Sequence, residues 1–254
     1  MPFESDPNNK FDRMIYFSLR AWWQDIVDSS QFLTRFNIIR NKSSHAQNDP
    51  YHGDLDDLAK VKPIKRAVRA FPLIGALLGL CGGLAFAVSS ALGIPDLVSG
   101  IIAISIIALA TGALHEDGLA DMVDGFGGGH TVATKLSIMR DSRIGAYGVI
   151  ALITVLAAKV GALADLGSIG IVICSLICSA ATSRAAMPAM MRWLPPARRS
   201  GLSAQIGQPT AKDVYIGIAI AGILLAPKIT VKLNIAFPAF TKVNTPIIFF
   251  LRDF

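Results

Sequence analysis

An acidic segment followed by glycines is the part of the sequence best suited to chemistry. Residues 115–125 read HEDGLADMVDG. If residues 116–124 are helical, a turn of 100° per residue places Asp117, Asp121 and Asp124 within an arc of about 60°, with Glu116 beside it. Carboxylates on one face repel each other unless a cation lies between them. Oxygen-only ligands favour a hard cation such as Mg²⁺. The segment therefore predicts a metal site.

A solvated acidic surface turn is the alternative interpretation of the same residues. Two features favour the metal site: no Lys or Arg occurs between Glu116 and Lys135, and Gly118 and Gly125 flank the last two aspartates. Glycine allows a backbone to approach a ligand closely. His115 could act as a general base beside the carboxylates, or it could be a hydrogen-bonded structural residue at the helix start. Both roles stay open.

Basic residues follow the acidic segment, and they favour a phosphate-containing substrate. Arg140 and Arg143 are three residues apart and would share a face if the chain is helical there. Arginine binds phosphate with two parallel hydrogen bonds, and Lys135 and Asp141 are further candidate binding residues. The arginines could equally be anchors at the cytoplasmic end of a membrane span. Carboxylate-bound metals with arginines suit transfer of a phosphate-containing group.

Two arginines later in the chain are further candidates for binding the phosphate-containing group. Arg184 lies inside an apolar run, where a charge is expensive and usually functional. Its side chain could extend to the membrane surface, or it could reach the same phosphates. Arg198 belongs to a basic, glycine-bearing loop at residues 197–203.

Composition identifies the environment of these residues as a membrane. The chain has 254 residues, 52% of them hydrophobic and 17% charged, with a mean hydropathy of +0.51. Soluble domains carry about 25% charged residues. The net charge is +6, but the basic residues lie between or before apolar runs and form no basic-aromatic stripe. We therefore expect a cytoplasmic membrane face and no nucleic-acid partner. The three cysteines lie in apolar runs and imply no disulfide framework.

The pattern of apolar runs predicts an all-α, multi-pass transmembrane helical bundle with about five to seven spans and cytoplasmic active-site loops. Predicted spans cover 70–92, 97–114, 144–164 and 166–191, with a shorter apolar stretch at 214–226. Glycines at roughly every fourth position of the first span would let another helix approach closely. Three regions follow: a cytoplasmic or interfacial region at 1–69 with an amphipathic helix near 11–36, a transmembrane catalytic domain at 70–226, and a divergent C-terminal tail at 227–254.

The distribution of basic residues predicts the orientation. Lys and Arg cluster before the first span, after the second and after the fourth, whereas the turns at 93–96 and near 165 carry none. Basic loops face the cytoplasm. The N-terminus and the loops with the candidate site residues are therefore expected in the cytoplasm.

Taken together, the motifs resemble the cobalamin 5′-phosphate synthase family, also called adenosylcobinamide-GDP ribazoletransferase. The resemblance covers residues of about 30–210 and is carried by 32–35, 111–112, 114–129, 138–148, 183–184, 197–198 and 201–202. The block HEDGLADxxDGFGGG followed by IMRDSRIG is highly specific. Beyond Pro227 the family's usual Gly-Thr-Gly-Asp-type segment is missing from this sequence.

The resemblance implies a transferase of cobalamin biosynthesis. In that reaction α-ribazole, or its 5′-phosphate, attacks a phosphate of adenosylcobinamide-GDP, GMP leaves, and adenosylcobalamin or its 5′-phosphate forms. The resemblance also implies Mg²⁺ dependence and a multi-pass protein of the cell inner membrane, with the lipid bilayer as a partner. A homo-oligomer is considered as well.

Two rival functions are weighed against this one. A CDP-alcohol phosphotransferase also spaces aspartates along a membrane helix, but its pattern has Ala-Arg where this chain has Ala120-Asp121. A divalent-cation transporter would place acidic residues in the middle of spans, whereas here they lie at the cytoplasmic border.

Overall fold

The structure is a computed structural model that describes residues 10–35, 65–195, 197 and 207–230. All regular secondary structure in these residues is helical, which confirms the predicted all-α class. A 3₁₀ turn, Val68–Ala70, precedes the second helix. The α-helices bounded within the described residues are α1 Lys10–Leu33, α2 Phe71–Ala91, α3 Asp96–Thr111, α4 Leu114–Gly128, α5 Val132–Ile138, α6 Ala146–Ala164, α7 Ile169–Trp193 and α8 Ala211–Thr230.

Three stretches in the described part of the chain are long and apolar enough to cross a membrane. They are Lys65–Ala91, Ala146–Ala164 and Ile169–Trp193, and they correspond to the predicted first, third and fourth spans. The predicted second span ends early, at Thr111, and qualifies only as a pair with α4, across a 90° bend. The predicted stretch at 214–226 lies inside α8, which is not one of the three. The chain is thus a helical membrane protein, and the count of five to seven spans stays a prediction.

The described residues form two compact units. One comprises residues 76–180 with the end of α8 from Leu224. Its core contains Phe86, Ala103, Leu163, Val172 and Leu176, contributed by α2, α3, α6 and α7. These side chains are apolar throughout, as expected for the interior of a helical bundle.

Glycines of α2 let it pack closely against its neighbours in this unit. A Cβ added at Gly79 would overlap the backbone carbonyl of Leu176, and one at Gly83 would lie 3.0 Å from the Cα of Ile173. At Gly82 the added atom would be 3.2 Å from the carbonyl oxygen of Ala103. The predicted close helix approach is therefore confirmed, because a Cβ has no room at Gly79 and would make tight contacts at Gly82 and Gly83.

The other unit comprises the described residues up to Gly75 and residues 181–223. Here α1 is fixed to the segment that leads into α2. The buried Asp25 carboxylate accepts hydrogen bonds from Arg66 Nε (3.0 Å) and Arg69 Nε (2.7 Å). The Ser29 hydroxyl donates to the carbonyl oxygen of Ala67 at 2.8 Å. A helix was predicted near 11–36, and α1 confirms it.

The three regions predicted from the sequence, 1–69, 70–226 and 227–254, are distinct from these compact units. The compact units divide the chain at other points, inside α2, inside α7 and inside α8. The boundaries at 69/70 and 226/227 stay predictions, since most of the predicted tail lies outside the described residues.

Candidate functional site

A sharp turn between α3 and α4 positions the acidic segment. Gly112 and Ala113 both adopt left-handed backbone angles, with φ of 67° and 57°. The amide of Ala113 donates to the carbonyl oxygen of Ala108 at 2.7 Å, which closes the end of α3. For alanine this conformation costs about 1 kcal/mol or more. The turn redirects the chain by 90°, so that α4 and its carboxylates leave the direction of the apolar helix.

The acidic segment is helical over its whole length, which confirms the prediction on which the carboxylate face was based. The carboxylates differ in environment along this face. Asp117 is exposed, Glu116 and Asp121 are half-buried, and Asp124 is only 8% exposed. His115, also half-buried, lies in the first turn of α4. The four acidic groups thus extend from solvent into the protein interior.

Asp124 bridges α4 and the beginning of α6. Its Oδ2 accepts a hydrogen bond from the Gly145 amide at 2.7 Å, and its Oδ1 accepts one from the Gly148 amide at 2.8 Å. Gly145 caps α6, and Gly148 lies in its first turn. A carboxylate at this end of a helix satisfies amides that have no partner within the helix and interacts favourably with the helix dipole.

The two glycines are required by this contact. A Cβ added at Gly145 would overlap Oδ1 of Asp124, and one at Gly148 would overlap Oδ2. A third glycine, Gly127 of α4, lies against the ring of Tyr147. Sequence reasoning did not find the partners of Asp124. The signal present in the sequence was a pair of glycines at the cap and the first turn of a predicted helix.

The connection from α5 to α6 corrects one prediction. Arg140 and Arg143 were expected on one helix face, but residues 139–145 are not helical, because the chain turns there between two helices. Arg143 instead forms an ion pair with Asp141, with Nη2 to Oδ2 at 2.6 Å and Nε to Oδ1 at 3.1 Å. Hydrogen bonds from the Arg143 side chain and amide lower the pKa of Asp141 to about 2. Arg140 and Arg143 are both exposed.

Lys135 is held against the end of α4. Its ammonium lies 4.6 Å from the centre of the Phe126 ring, a cation-π arrangement. Close contact with α5 is possible because Gly125 and Gly129 have no side chain. An added Cβ at Gly125 would be 3.1 Å from the backbone carbonyl oxygen of Lys135, and one at Gly129 would be 2.8 Å from the backbone nitrogen of Lys135.

The fit of the site to a metal ion can be judged from its oxygen atoms. Oε2 of Glu116 is buried and has no hydrogen-bond partner among the described residues, and a buried carboxylate oxygen without a donor is suited to a cation. The donor set of carboxylate oxygens suits Mg²⁺. Within the described ranges, however, no three His, Cys, Asp or Glu side chains are grouped closely enough to hold a metal. The carboxylate oxygens are chemically suited to the predicted Mg²⁺, but the described residues contain no group of three such side chains arranged to bind it.

Two predicted site residues, Arg184 and Arg198, are not among the described residues of this unit. Arg184 is 7% exposed and donates from Nη1 to the Ser183 hydroxyl at 2.9 Å. It belongs to the other compact unit, so its predicted role toward the phosphates stays a prediction. Arg198 lies outside the described residues.

The structure thus brings together α4, α5, the 139–145 connection and the start of α6. Of the predicted residues, this group contains His115 and the acidic residues of α4, Lys135, Arg140, Asp141 and Arg143. Carboxylates that could hold a cation and arginines that could bind phosphate are therefore carried by neighbouring segments of one unit.

Comparison with known proteins identifies the family. The family model described as CobS, cobalamin-5-phosphate synthase, matches residues 25–252. The match extends beyond the range of about 30–210 expected from the motifs and includes most of the tail that was predicted to be divergent. No solved structure shows significant similarity to the chain.

Curated relatives carry one name, adenosylcobinamide-GDP ribazoletransferase. The Bradyrhizobium diazoefficiens protein is 46% identical over 162 residues, which cover 64% of this chain and 62% of the relative. The Azorhizobium caulinodans protein is 46% identical over 176 residues, covering 68% and 66%. The Rhizobium meliloti protein is 38% identical over 247 residues, covering 89% and 87%. The chain therefore spans slightly less than two thirds of the first two relatives and most of the third. With the family model covering nearly the whole sequence, this chain belongs to the cobalamin-5-phosphate synthase family.

Proposed function

We propose that the chain is an adenosylcobinamide-GDP ribazoletransferase that acts in the last steps of cobalamin biosynthesis. It joins α-ribazole, or its 5′-phosphate, to adenosylcobinamide-GDP and releases GMP. The name carried by the relatives supplies the substrates. The observation that supports the proposal is the attachment of the acidic helix to the arginine-bearing connection through Asp124. The groups that we propose for binding the cation and the phosphates belong to these two adjoining segments.

The products define which bonds change. A ribose hydroxyl of ribazole attacks the phosphorus that bears the cobinamide. The bond from this phosphorus to the bridging oxygen of the diphosphate breaks, and GMP leaves with that oxygen. The hydroxyl proton passes to a base, for which His115 and the exposed carboxylate of Asp117 are the candidates.

In the proposed reaction, basic residues bind the diphosphate of the substrate. Arg143 can present two parallel donors to phosphate oxygens, but this guanidinium is paired with Asp141. Binding through Arg143 therefore exchanges the Asp141 carboxylate for a phosphate. Arg140 and Lys135 add positive charge in the same unit, and Arg184 and Arg198 are further proposed ligands of the substrate.

Mg²⁺ is the proposed cofactor, and Glu116, Asp117 and Asp121 would hold it. These three carboxylates are not grouped closely enough in the structure to bind an ion, so binding requires them to move toward one another. When bound, such an ion neutralises charge on the diphosphate and on the departing phosphate. The support for it is the carboxylate chemistry of α4 and the buried, unpartnered Oε2 of Glu116. Asp124 was also predicted as a ligand, but both of its oxygens accept hydrogen bonds from backbone amides of Gly145 and Gly148.

The proposed location is the cell inner membrane, with the N-terminus and the loops of the site in the cytoplasm. The three apolar helices support a membrane protein, and the basic segments support the orientation. The substrates and the lipid bilayer are the proposed partners, and a homo-oligomer is retained as part of the proposal.

The direct test is GMP release. Purified protein in lipid nanodiscs is given adenosylcobinamide-GDP, α-ribazole and Mg²⁺, and GMP is measured by chromatography. The proposal predicts GMP in stoichiometric amounts with the cobalamin product. Bound adenosylcobinamide-GDP without any GMP would refute it.

Two variants then test the carboxylates. We expect Asp117→Asn and Asp121→Asn each to abolish turnover, because each removes a charge needed to hold the cation. A matched control is Asp165→Asn, which removes an acidic residue at the opposite end of α6 and should leave turnover unchanged. Wild-type rates in both α4 variants would show that these carboxylates do not hold a metal.

A further inference from the structure

The carboxylate of Asp124 connects α4 to the beginning of α6. Asp124 is 8% exposed, and each of its two oxygens accepts one backbone amide, at 2.7 and 2.8 Å. Gly145 and Gly148 are shaped to this carboxylate, since a side chain at either position would displace it. The carboxylate is thus fitted to the protein backbone in the structure as it stands.

Two sequence motifs are explained by this one contact. Asp124 comes from the acidic segment, and the glycines come from the segment IGAYG at residues 144–148, immediately after Arg143. Because Gly145 is two residues from Arg143, the position of its amide limits where the Arg143 backbone can lie. The ion pair between Arg143 and Asp141 is part of the same connection.

We propose that Asp124 is a positioning residue that ties α4 to the N-terminus of α6 and thereby holds the arginine-bearing connection, rather than a ligand of the metal. Its effect on catalysis rests on the proposed function, whereas the contact itself does not. A metal ligand would affect catalysis through the cation. Asp124 instead affects it through its hydrogen bonds with the Gly145 and Gly148 amides, which limit where Arg143 lies.

The first experiment measures the contact without any substrate. Amide hydrogen exchange over residues 144–150 is compared in full-length protein in nanodiscs for wild type, Asp124→Asn and Gly148→Ala. Asparagine keeps the size of aspartate but offers one acceptor oxygen where two are needed. Alanine at Gly148 leaves the carboxylate intact and displaces it. We expect both variants to reduce protection by about ten- to a hundredfold, as a lost hydrogen bond to a charged group implies.

A matched control is Gly161→Ala, which makes the same substitution farther along α6, where an added Cβ meets nothing within 4 Å. Its protection over residues 144–150 should equal that of wild type. Unchanged protection in both Asp124→Asn and Gly148→Ala would overturn the proposal.

The second experiment separates positioning from metal binding. If Asp124 positions the connection, both variants raise the KM for adenosylcobinamide-GDP by about tenfold, and the Mg²⁺ concentration for half-maximal activity stays at its wild-type value. If Asp124 is a metal ligand, Asp124→Asn raises the Mg²⁺ concentration needed for half-maximal activity, and the positioning role is refuted. A wild-type protein without activity would refute the proposed function, and the exchange experiment would still decide the contact.

Discussion

Replacing Asp25 by alanine should loosen the attachment of α1 more than replacing either of its partners, Arg66 or Arg69, by alanine. The Asp25 carboxylate is 1% exposed and pairs with two arginines. Removing it leaves Arg69, whose side chain is 14% exposed, without its anionic partner. The expected result is local opening of α1 from the segment before α2.

The structure sets the magnitude. Breaking a buried ion pair from one side costs about 3–5 kcal/mol. The lower end applies here, because Arg69 also lies 4.1 Å from the centre of the Trp22 ring, a contact that survives the substitution. Arg66 is 49% exposed, so solvent screens its pair and Arg66→Ala should cost only about 0.5–1 kcal/mol. Arg69→Ala should fall between the two.

Amide exchange over residues 25–33 of full-length protein in nanodiscs measures this opening. A loss of about 3 kcal/mol corresponds to a fall in protection of roughly 150-fold. The matched control is Asp28→Asn, one turn away on the same helix. Burial, and next the Asp25 charge, raise the pKa of Asp28. Its ionised form is therefore disfavoured by folding, and its removal near neutral pH should not reduce protection.

The ranking of the variants is the critical result. Equal protection in Asp25→Ala and Arg66→Ala would refute the reasoning, since it would mean that burial does not decide the strength of these pairs. A fall in Asp28→Asn as large as that in Asp25→Ala would refute it too.

Two further predictions concern the membrane surface and the arginine-bearing connection. With Trp193 replaced by Phe, two single-tryptophan proteins can be compared, one that keeps Trp23 and one that keeps Trp22. Shallowly brominated lipids should quench the fluorescence of Trp23 more strongly, because Trp23 is 60% exposed and Trp22 lies under Arg69. Equal quenching would contradict the interfacial placement of α1. Arg143→Gln should raise the pKa of Asp141 from about 2 toward 3.8, as measured by carbon NMR of the carboxyl group. Because the pKa is lowered in the folded state, the stability gained from this pair is present above about pH 4 and is lost as pH falls through 2; a pKa that stays near 2 in the variant would show that Arg143 is not the cause.

Local pattern was enough to predict much of this molecule. Long apolar runs predicted the membrane helices, because each such helix must present apolar side chains along its length. Helical spacing correctly placed the acidic residues on one helix, and the glycines of α2 correctly predicted close packing. These features depend on residues near one another in the chain. The motif resemblance likewise predicted the family that the comparisons confirm.

Other features were not indicated by any ordinary pattern in the sequence. The 90° turn depends on two left-handed residues, one of them Ala113, for which the sequence carries no ordinary sign. The arginines at 140 and 143 were predicted on a helix face, but the chain turns there to reach α6, and Arg143 pairs with Asp141 instead.

Asp124 shows the difference most clearly. The sequence by itself determined that this aspartate lies on the helical face of the other acidic residues, because 3.6 residues complete each turn. Only the tertiary structure decided what its oxygens contact, since the Gly145 and Gly148 amides are brought to it by the packing of α6 on α4. Helical periodicity fixes the direction in which a side chain projects, but its partner is supplied by a part of the chain more than 20 residues away.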